Sequence, residues 1–145
     1  MIIRKIKPEE LKRTQELFSI AFEFGADISK TAEEVSQEIT TNPASREDIY
    51  WQERWAAFED DDRTMMSYLI AQPFPVNFDG NIYPMAGIGG VASLPQYRRQ
   101  GGIRGCFEAA LPELYEKGTV FSYLYPFSTA YYRRFGYELG CSRLS

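Results

Sequence analysis

The N-terminal third of the chain predicts one strand and two helices. Residues 2–6 alternate apolar and basic side chains, as in a short strand, and Pro8 suits the first turn of a helix just beyond it. Apolar positions then follow a helical period, at Leu11, Leu17, Phe18, Ala21 and Phe22. This spacing predicts an amphipathic helix that Gly25 ends. Residues 31–34 have capping-box form and predict a second, short helix that Pro43 stops.

From Tyr50 the pattern becomes strand-like. One strand is expected to end at the acidic turn of residues 60–62, and another covers residues 64–71. Asp79-Gly80 lies between apolar runs and predicts a hairpin, because this dipeptide accepts the positive φ angles of a tight two-residue turn.

Prolines and glycines mark the two arms of this hairpin. Pro73 and Pro75 lack the N–H that a ladder requires, so the first arm is expected to be irregular or to lie at a sheet edge. Gly87, Gly89 and Gly90 in the second arm predict a bulge, or backbone that something must approach closely.

The remaining chain predicts a helix, a strand, a short helix and the start of a last strand. The apolar face of the long helix comprises Phe107, Ala110, Leu111, Leu114 and Tyr115. This spacing persists on both sides of Pro112, so the helix is expected to continue through it and to close at Gly118. We expect a buried strand at residues 119–125, a helix at 128–135 and a strand from 137 to 141. The order β-α-α-β-β-β-α-β-α-β predicts an α/β (α+β) fold in which an antiparallel meander is joined to a β-α-β crossover.

Composition restricts the chemistry. At 145 residues, 44% hydrophobic and 15% aromatic, the chain suits one globular domain, residues 1–145, with a sizeable core. It contains no histidine, which excludes Ser-His and Cys-His nucleophile chemistry and removes the commonest transition-metal ligand. Cys106 and Cys141 are too few for a disulfide scaffold or a four-thiolate site and fit a reducing compartment. No run approaches the roughly 20 apolar residues of a membrane span. We therefore expect a soluble, cytoplasmic protein with no metal site and no membrane association.

Charge is distributed unevenly along the chain. Residues 1–62 carry 15 acidic against 8 basic residues, whereas residues 63–145 carry 5 against 8. Residues 80–107 contain no acid, and their charges are Arg98, Arg99 and Arg104. This stretch suits an anion, although arginines on a loop are also typical of plain solvated surface. The overall net charge of −4 argues against nucleic-acid binding, which needs a broad basic footprint.

The most informative segment is residues 91–104, V-A-S-L-P-Q-Y-R-R-Q-G-G-I-R. A strand runs into a turn at Pro95, and an arginine- and glycine-rich loop then opens directly into the long helix. Free N–H groups in a helix's first turn and the positive end of its dipole form a phosphate site, and glycine permits a pyrophosphate to approach. The loop lacks the Lys-Ser/Thr pair of a Walker A loop and the spacing of a Rossmann turn. A flexible connector is the alternative interpretation.

This segment resembles motif A of the GNAT superfamily of N-acetyltransferases, with the core [Q/R]-x-x-G-x-[G/A] after a V-x-V-x-P-x-[YW]-R strand and turn. The match covers Val91, Pro95, Tyr97, Arg98 and Gly101, while a branched Ile103 stands where the family has Gly or Ala. Residues 130–138, A-Y-Y-R-R-F-G-Y-E, resemble the superfamily's x-F-Y-x-x-x-G-F/Y-E segment. The resemblance implies the GNAT acyl-CoA N-acyltransferase fold, a mixed and mostly antiparallel sheet flanked by helices.

A narrower resemblance is to the acetyltransferase domain of the enhanced intracellular survival (Eis) family, through residues 98–104 and 132–137. Eis proteins are longer and typically form hexamers. The resemblance implies that this chain is the N-terminal part of a longer, homo-oligomeric protein.

The GNAT resemblance implies acetyl-CoA as cosubstrate and a primary amine as acceptor. The strand before motif A would hydrogen-bond the pantetheine arm, chiefly at Ser93, and the loop and helix start would hold the pyrophosphate. The implied cofactor-binding residues are Val91, Ser93, Leu94, Pro95, Arg98, Arg99, Gly101, Gly102, Ile103, Arg104, Gly105, Cys106, Phe127 and Ser128.

Tyr132 corresponds to the tyrosine that in Eis-like enzymes is the general acid for the departing thiolate. A phenol near the sulfur suits this role, because direct attack by an amine needs no covalent enzyme intermediate. The alternative is an aromatic core residue, a role for which Tyr131 is the better candidate. Cys106 is expected to be a packing residue rather than a nucleophile.

The general base is not evident in the sequence. Residues 84–91 lack the glutamate that many GNAT enzymes carry, and in Eis proteins the base is the carboxylate at the far end of the full-length chain. Glu23 and Asp27 could line a pocket for a cationic amine, or be solvated. We therefore predict an N-acetyltransferase for a small-molecule amine, such as an aminoglycoside or polyamine, or for a peptide or protein amine. The alternative is a non-catalytic acyl-CoA-binding or assembly module.

Overall fold

A computed structural model describes residues 1–22 and 53–141 of the chain. The strands are β1 (Ile2–Lys5), β2 (Arg54–Phe58), β3 (Met65–Phe78), β4 (Asn81–Ser93) and β5 (Phe121–Leu124). The helices are α1 (Leu11–Phe22), α2 (Gly102–Glu116) and α3 (Thr129–Arg133). The helix predicted from residue 31 lies outside the described residues.

The described strands form one mixed sheet in the order β1-β2-β3-β4-β5. Neighbours from β1 to β4 are antiparallel, whereas β5 pairs with β4 in parallel after a crossover that contains α2. The predicted α/β class, a meander followed by a β-α-β unit, is confirmed.

The β3–β4 hairpin forms as predicted, with φ angles of 53° at Asp79 and 81° at Gly80. β2 pairs with β3 from Met65 to Ile70, so Pro73 and Pro75 lie farther along β3, where no described strand flanks it on that side. Residue pairs in an antiparallel ladder alternate between hydrogen-bonded and non-hydrogen-bonded, and counting from the hairpin turn puts Pro73 and Pro75 in non-hydrogen-bonded pairs. Their nitrogens therefore face the open side of β3, and no ladder bond to β4 is lost. The expectation that the prolines lie at an edge is confirmed.

The two faces of the sheet bury separate clusters. Along β2, Trp55 and Ala57 belong to the cluster under α2, whereas Ala56 and Phe58 belong to the cluster under α1. This alternation follows from the two-residue period of a strand. The α2 cluster includes Met66, Leu69, Phe107, Ala110 and Leu114. Helix α1 therefore covers one face of the sheet and α2 covers the other, and both helices contact β4.

Helix α2 continues through Pro112, and Gly118 follows its end with a φ of 87°, as predicted. Its predicted apolar face is wrong at one position, because Tyr115 is 83% exposed. It follows buried Leu114 in the helix, about 100° farther round, and points away from the sheet.

Two expectations for the last segments are wrong. β5 is not buried, since Tyr123 and the following Tyr125 are exposed and no described element covers its outer edge. Residues 137–141 form no strand. There, the N–H of Leu139 donates to the carboxylate of Glu138 rather than to a ladder, and Glu138 also pairs with Arg133.

Candidate active site

A bulge at the end of β4 opens the sheet. Tyr68 pairs with Ala92 and Ile70 with Gly89, so β4 carries one extra residue in this interval. Gly90 adopts a φ of 60°, and a Cβ on it would lie 2.3 Å from the ring of Phe18 on α1. The predicted bulge is confirmed, and it requires glycine for both conformation and space.

β4 extends past the end of β5, whose last residue, Leu124, pairs with Ile88 just before the bulge. β5 pairs with residues 85–88 of β4, and no described strand pairs with residues 89–93 on that side. The backbone of residues 89–93 therefore has no strand partner on that side among the described residues.

The loop after β4 leads directly into α2. A 3-10 turn at Pro95–Tyr97 follows β4, and Gly101 then adopts a φ of 84° as the residue that caps α2. The first bond of the helix runs from the N–H of Gly105 to the carbonyl of Gly101 over 2.9 Å. The N–H groups of residues 102–104 therefore precede the helical ladder, and no side chain in the described part of the chain caps them.

A cleft of about 900 Å³ lies between these elements. Its lining comprises Ala21, Val91, Ala92, Ser93, Tyr97, Arg98, Arg99, Gly101, Gly102, Ile103, Arg104, Phe127, Tyr131, Arg134 and Phe135. These residues include four exposed arginines and no acid. Together with the uncapped helix start, they make the cleft suited to a phosphorylated ligand.

Five of the residues implied as cofactor-binding lie outside this lining. They are Leu94, Pro95, Gly105, Cys106 and Ser128. Cys106 is completely buried in the α2 cluster, and burial raises the pKa of its thiol to about 12. This environment agrees with the predicted packing role. Ser128 caps α3, its hydroxyl accepting the N–H of Tyr131 over 3.3 Å.

Several lining residues were not predicted as site residues, notably Tyr131, Arg134 and Phe135. Arg134 and Phe135 follow the end of α3 at Arg133, and this segment is too short for its periodicity to show which side chains face the cleft. Arg134, which directly follows α3, adds a fourth arginine to the three from the loop and the start of α2. Burial raises the pKa of Tyr131, and the positive charges of Arg134 and Arg104 partly oppose this rise.

The adjacent Tyr132 points the other way. It is 4% exposed, so the expectation that Tyr131 is the core tyrosine is wrong. Its ring packs edge-on against Phe107 at 6.3 Å and Phe127 at 5.3 Å between ring centroids. Desolvation, with smaller contributions from Tyr131 and Tyr137, raises the pKa of Tyr132 to about 12.

Tyr132 lines a second cleft, of about 360 Å³, beside β5. Phe127 connects the two clefts, since it lines the larger one and contacts Tyr132. One aromatic ring therefore separates the Tyr132 side chain from the arginine-rich cleft.

Residues 1–22 and 53–141 contain no group of three or more acidic or cysteine side chains placed to hold a metal ion. The helices of the same part of the chain are all too short or too polar to cross a membrane. Glu23 and Asp27 lie outside the described residues.

The bulged end of β4, the open side of β4 beyond the end of β5 and the start of α2 surround the arginine-rich cleft. A family model for the acetyltransferase (GNAT) domain matches residues 2–140. The chain belongs to this family. A search of curated proteins finds no match.

Solved structures share this fold. A conserved protein of unknown function from Enterococcus faecalis V583, described as a probable N-acyltransferase, is 33% identical with a TM-score of 0.75, covering 94% of this chain and 32% of that one. Eis1 from Mycobacterium abscessus is 19% identical with a TM-score of 0.73, covering 94% and 31%. Glucosamine-6-phosphate N-acetyltransferase from Arabidopsis thaliana is 13% identical with a TM-score of 0.72, covering 99% and 95%. The chain thus spans about a third of the Enterococcus and Mycobacterium proteins.

Proposed function

We propose that this domain transfers the acetyl group of acetyl-CoA to a primary amine by direct attack. The observation that carries the proposal is a cleft of about 900 Å³ whose described lining holds four arginines and no acid, beside the start of α2 and the edge of β4 that no described strand joins. A thioester activates its own acyl carbon, so the protein needs to bind, orient and protonate rather than to supply a nucleophile.

The residues present fit coenzyme A. The free N–H groups of residues 102–104 suit the pyrophosphate, and Arg98, Arg99 and Arg104 supply charge beside them. Residues 89–93 pair with β3 but have no described strand on the other side, and this open edge suits the amide groups of a pantetheine arm, because an extended chain can complete a strand edge. Arg134 supplies positive charge from α3's side of the cleft.

Tyr132 is the proposed general acid. Its pKa of about 12 keeps the phenol protonated at neutral pH, as a proton donor to a thiolate must be. Its contact with Phe127, which lines the arginine-rich cleft, supports this role.

The acceptor is proposed to be a small-molecule amine, an aminoglycoside or a polyamine, or a peptide or protein amine. We further propose that residues 1–145 are the N-terminal part of an Eis-like cytoplasmic protein that forms homo-oligomers, hexamers among them. Neither nucleic acid nor membrane is a proposed partner. The placement in a longer protein is supported by two structural relatives, of which this chain covers about a third.

Calorimetry with CoA, run beside thiol-release assays with a panel of polyamines and aminoglycosides, tests the function. We expect saturable CoA binding and amine-dependent thiol release from acetyl-CoA. Binding without release by the full-length protein would contradict transfer and favour the non-catalytic acyl-CoA-binding module. Failure to bind CoA would contradict both functions.

A further inference from the structure

Ser67 and Ser93 face each other across β3 and β4 below the start of α2. They are register partners, and their Oγ atoms lie 2.6 Å apart. Ser67 is 1% exposed, whereas Ser93 lines the arginine-rich cleft. A buried hydroxyl is thus bonded directly to one at the ligand-facing surface.

Burial decides the direction of this hydrogen bond. The bond to Ser93 is the one that the Ser67 hydroxyl makes within the described part of the chain. If Ser93 donated, the Ser67 proton would be buried without an acceptor, which is costly. Ser67 therefore donates and Ser93 accepts, and the Ser93 proton is left to point toward an acceptor in the cleft.

Ser67 also supports the start of α2. A Cβ built on Gly102 would lie 2.4 Å from Ser67 Oγ, so the first helical turn rests directly on this hydroxyl. The Ser93 donor and the free N–H groups of α2 are consequently held by one buried side chain.

We propose that Ser67 is a positioning residue that orients the Ser93 hydroxyl to donate to an oxygen of bound acyl-CoA. This inference rests on the proposed function. The acceptor is a phosphoryl or amide oxygen of the cofactor, because both kinds of oxygen accept a hydrogen bond from a hydroxyl group.

Calorimetric CoA titration of the full chain tests the relay with Ser67→Ala, Ser93→Ala and the double variant. Each single substitution is expected to weaken binding by roughly 5- to 20-fold, the range of one hydrogen bond to a polar or charged group. The double variant should bind within about twofold of Ser93→Ala, because both substitutions remove one shared contact. Unchanged affinity in Ser67→Ala, or fully additive losses, would overturn the proposal.

Two further variants separate this role from simple folding. Ser67→Cys keeps the approximate volume with a much weaker donor, and we expect it to weaken CoA binding as Ser67→Ala does while the melting temperature stays near that of the unsubstituted chain. Ser122→Ala is the matched control, since it also breaks a hydroxyl pair, with Tyr137 at 2.5 Å, but outside the cofactor cleft. Its CoA affinity should be unchanged, and an equal loss in this control would count against the relay.

A comparison of CoA with pantetheine distinguishes a phosphoryl acceptor oxygen from an amide acceptor oxygen. If Ser93 donates to a phosphoryl oxygen, Ser93→Ala weakens CoA binding but not pantetheine binding; if it donates to an amide, both weaken. Absence of CoA binding by the unsubstituted chain would overturn the proposed function and this inference together, whereas CoA binding that ignores Ser67→Ala would overturn the inference alone.

Discussion

Tyr97 donates a hydrogen bond to Glu59 Oε1 over 2.5 Å and thereby ties the turn after β4 to the end of β2. This bond is also the main reason that the pKa of Tyr97 is raised. Tyr97 lines the cleft immediately before Arg98, so the contact fixes the start of the cationic loop.

Loss of this contact is expected to loosen the loop. We predict that Tyr97→Phe weakens CoA binding by roughly 3- to 10-fold, about the worth of one hydrogen bond. Glu59→Gln retains an acceptor oxygen and should lose less, and calorimetry compares the two. Unchanged affinity in Tyr97→Phe would show that the turn holds its position without Glu59.

Two adjacent arginines give a matched test of the cleft's charge. Arg134 lines the cleft, whereas Arg133 lies outside it and pairs with Glu138 at 2.6 Å. We predict that Arg134→Ala weakens CoA binding roughly 5- to 20-fold, as expected for a lost charge-assisted contact, with a shallower salt dependence. Arg133→Ala should bind CoA normally. Equal losses in both would mean that general positive charge, not the lining position, matters.

Tyr132 provides the test of the acid role. We predict that Tyr132→Phe lowers turnover at least tenfold while acetyl-CoA binding persists, because the phenol proton is removed and the ring remains. Since the pKa of Tyr132 is about 12, its ionisation should not limit turnover between pH 7 and pH 10. Steady-state kinetics across this range measure both effects. Unchanged turnover in the variant would refute the assignment.

Stability should decline in alkaline solution. Burial raises the pKa of Cys106 from 9.0 to about 12 and that of Tyr132 from 10.0 to about 12. As the pH rises, the unfolded chain loses these protons at a lower pH than the folded chain does. The contribution of these two groups to the free energy of unfolding is therefore constant below pH 9 and decreases from pH 9 toward pH 12. Urea denaturation at a series of pH values measures the slope.

Cysteine variants identify the part of this decline that Cys106 causes. Cys106→Ala should flatten the loss that begins near pH 9, whatever its effect on stability at neutral pH. Cys141→Ala is the control, because that thiol is exposed and its substitution should leave the slope unchanged. A slope unaffected by Cys106→Ala would contradict the contribution of the buried thiol.

Local signals in the sequence were sufficient for the framework of the site. Asp79-Gly80 specifies its turn through the φ angles it tolerates, and Gly90 and Gly101 occupy positions whose φ angles are positive. The strand, cationic loop and amphipathic helix of residues 91–104 follow one another directly along the chain. Such features are predictable because they depend on residues that are neighbours in sequence.

The orientation of individual side chains depended on more distant contacts. α3 is five residues long, too short for periodicity to show whether Tyr131 or Tyr132 faces the core. Packing on Phe107 decided that Tyr132 is buried and left Tyr131 and Arg134 in the cleft.

The sequence by itself determined the fold class, the hairpin, the bulge and the anion-suited loop, because backbone preference and hydrophobic period are local properties. Tertiary structure alone decided that Ser67 lies beneath Gly102, that Arg134 joins the cationic cleft, and that Tyr115 and Tyr125 are exposed. These outcomes depend on which surfaces meet, and a side chain's burial is set by elements far away in the sequence.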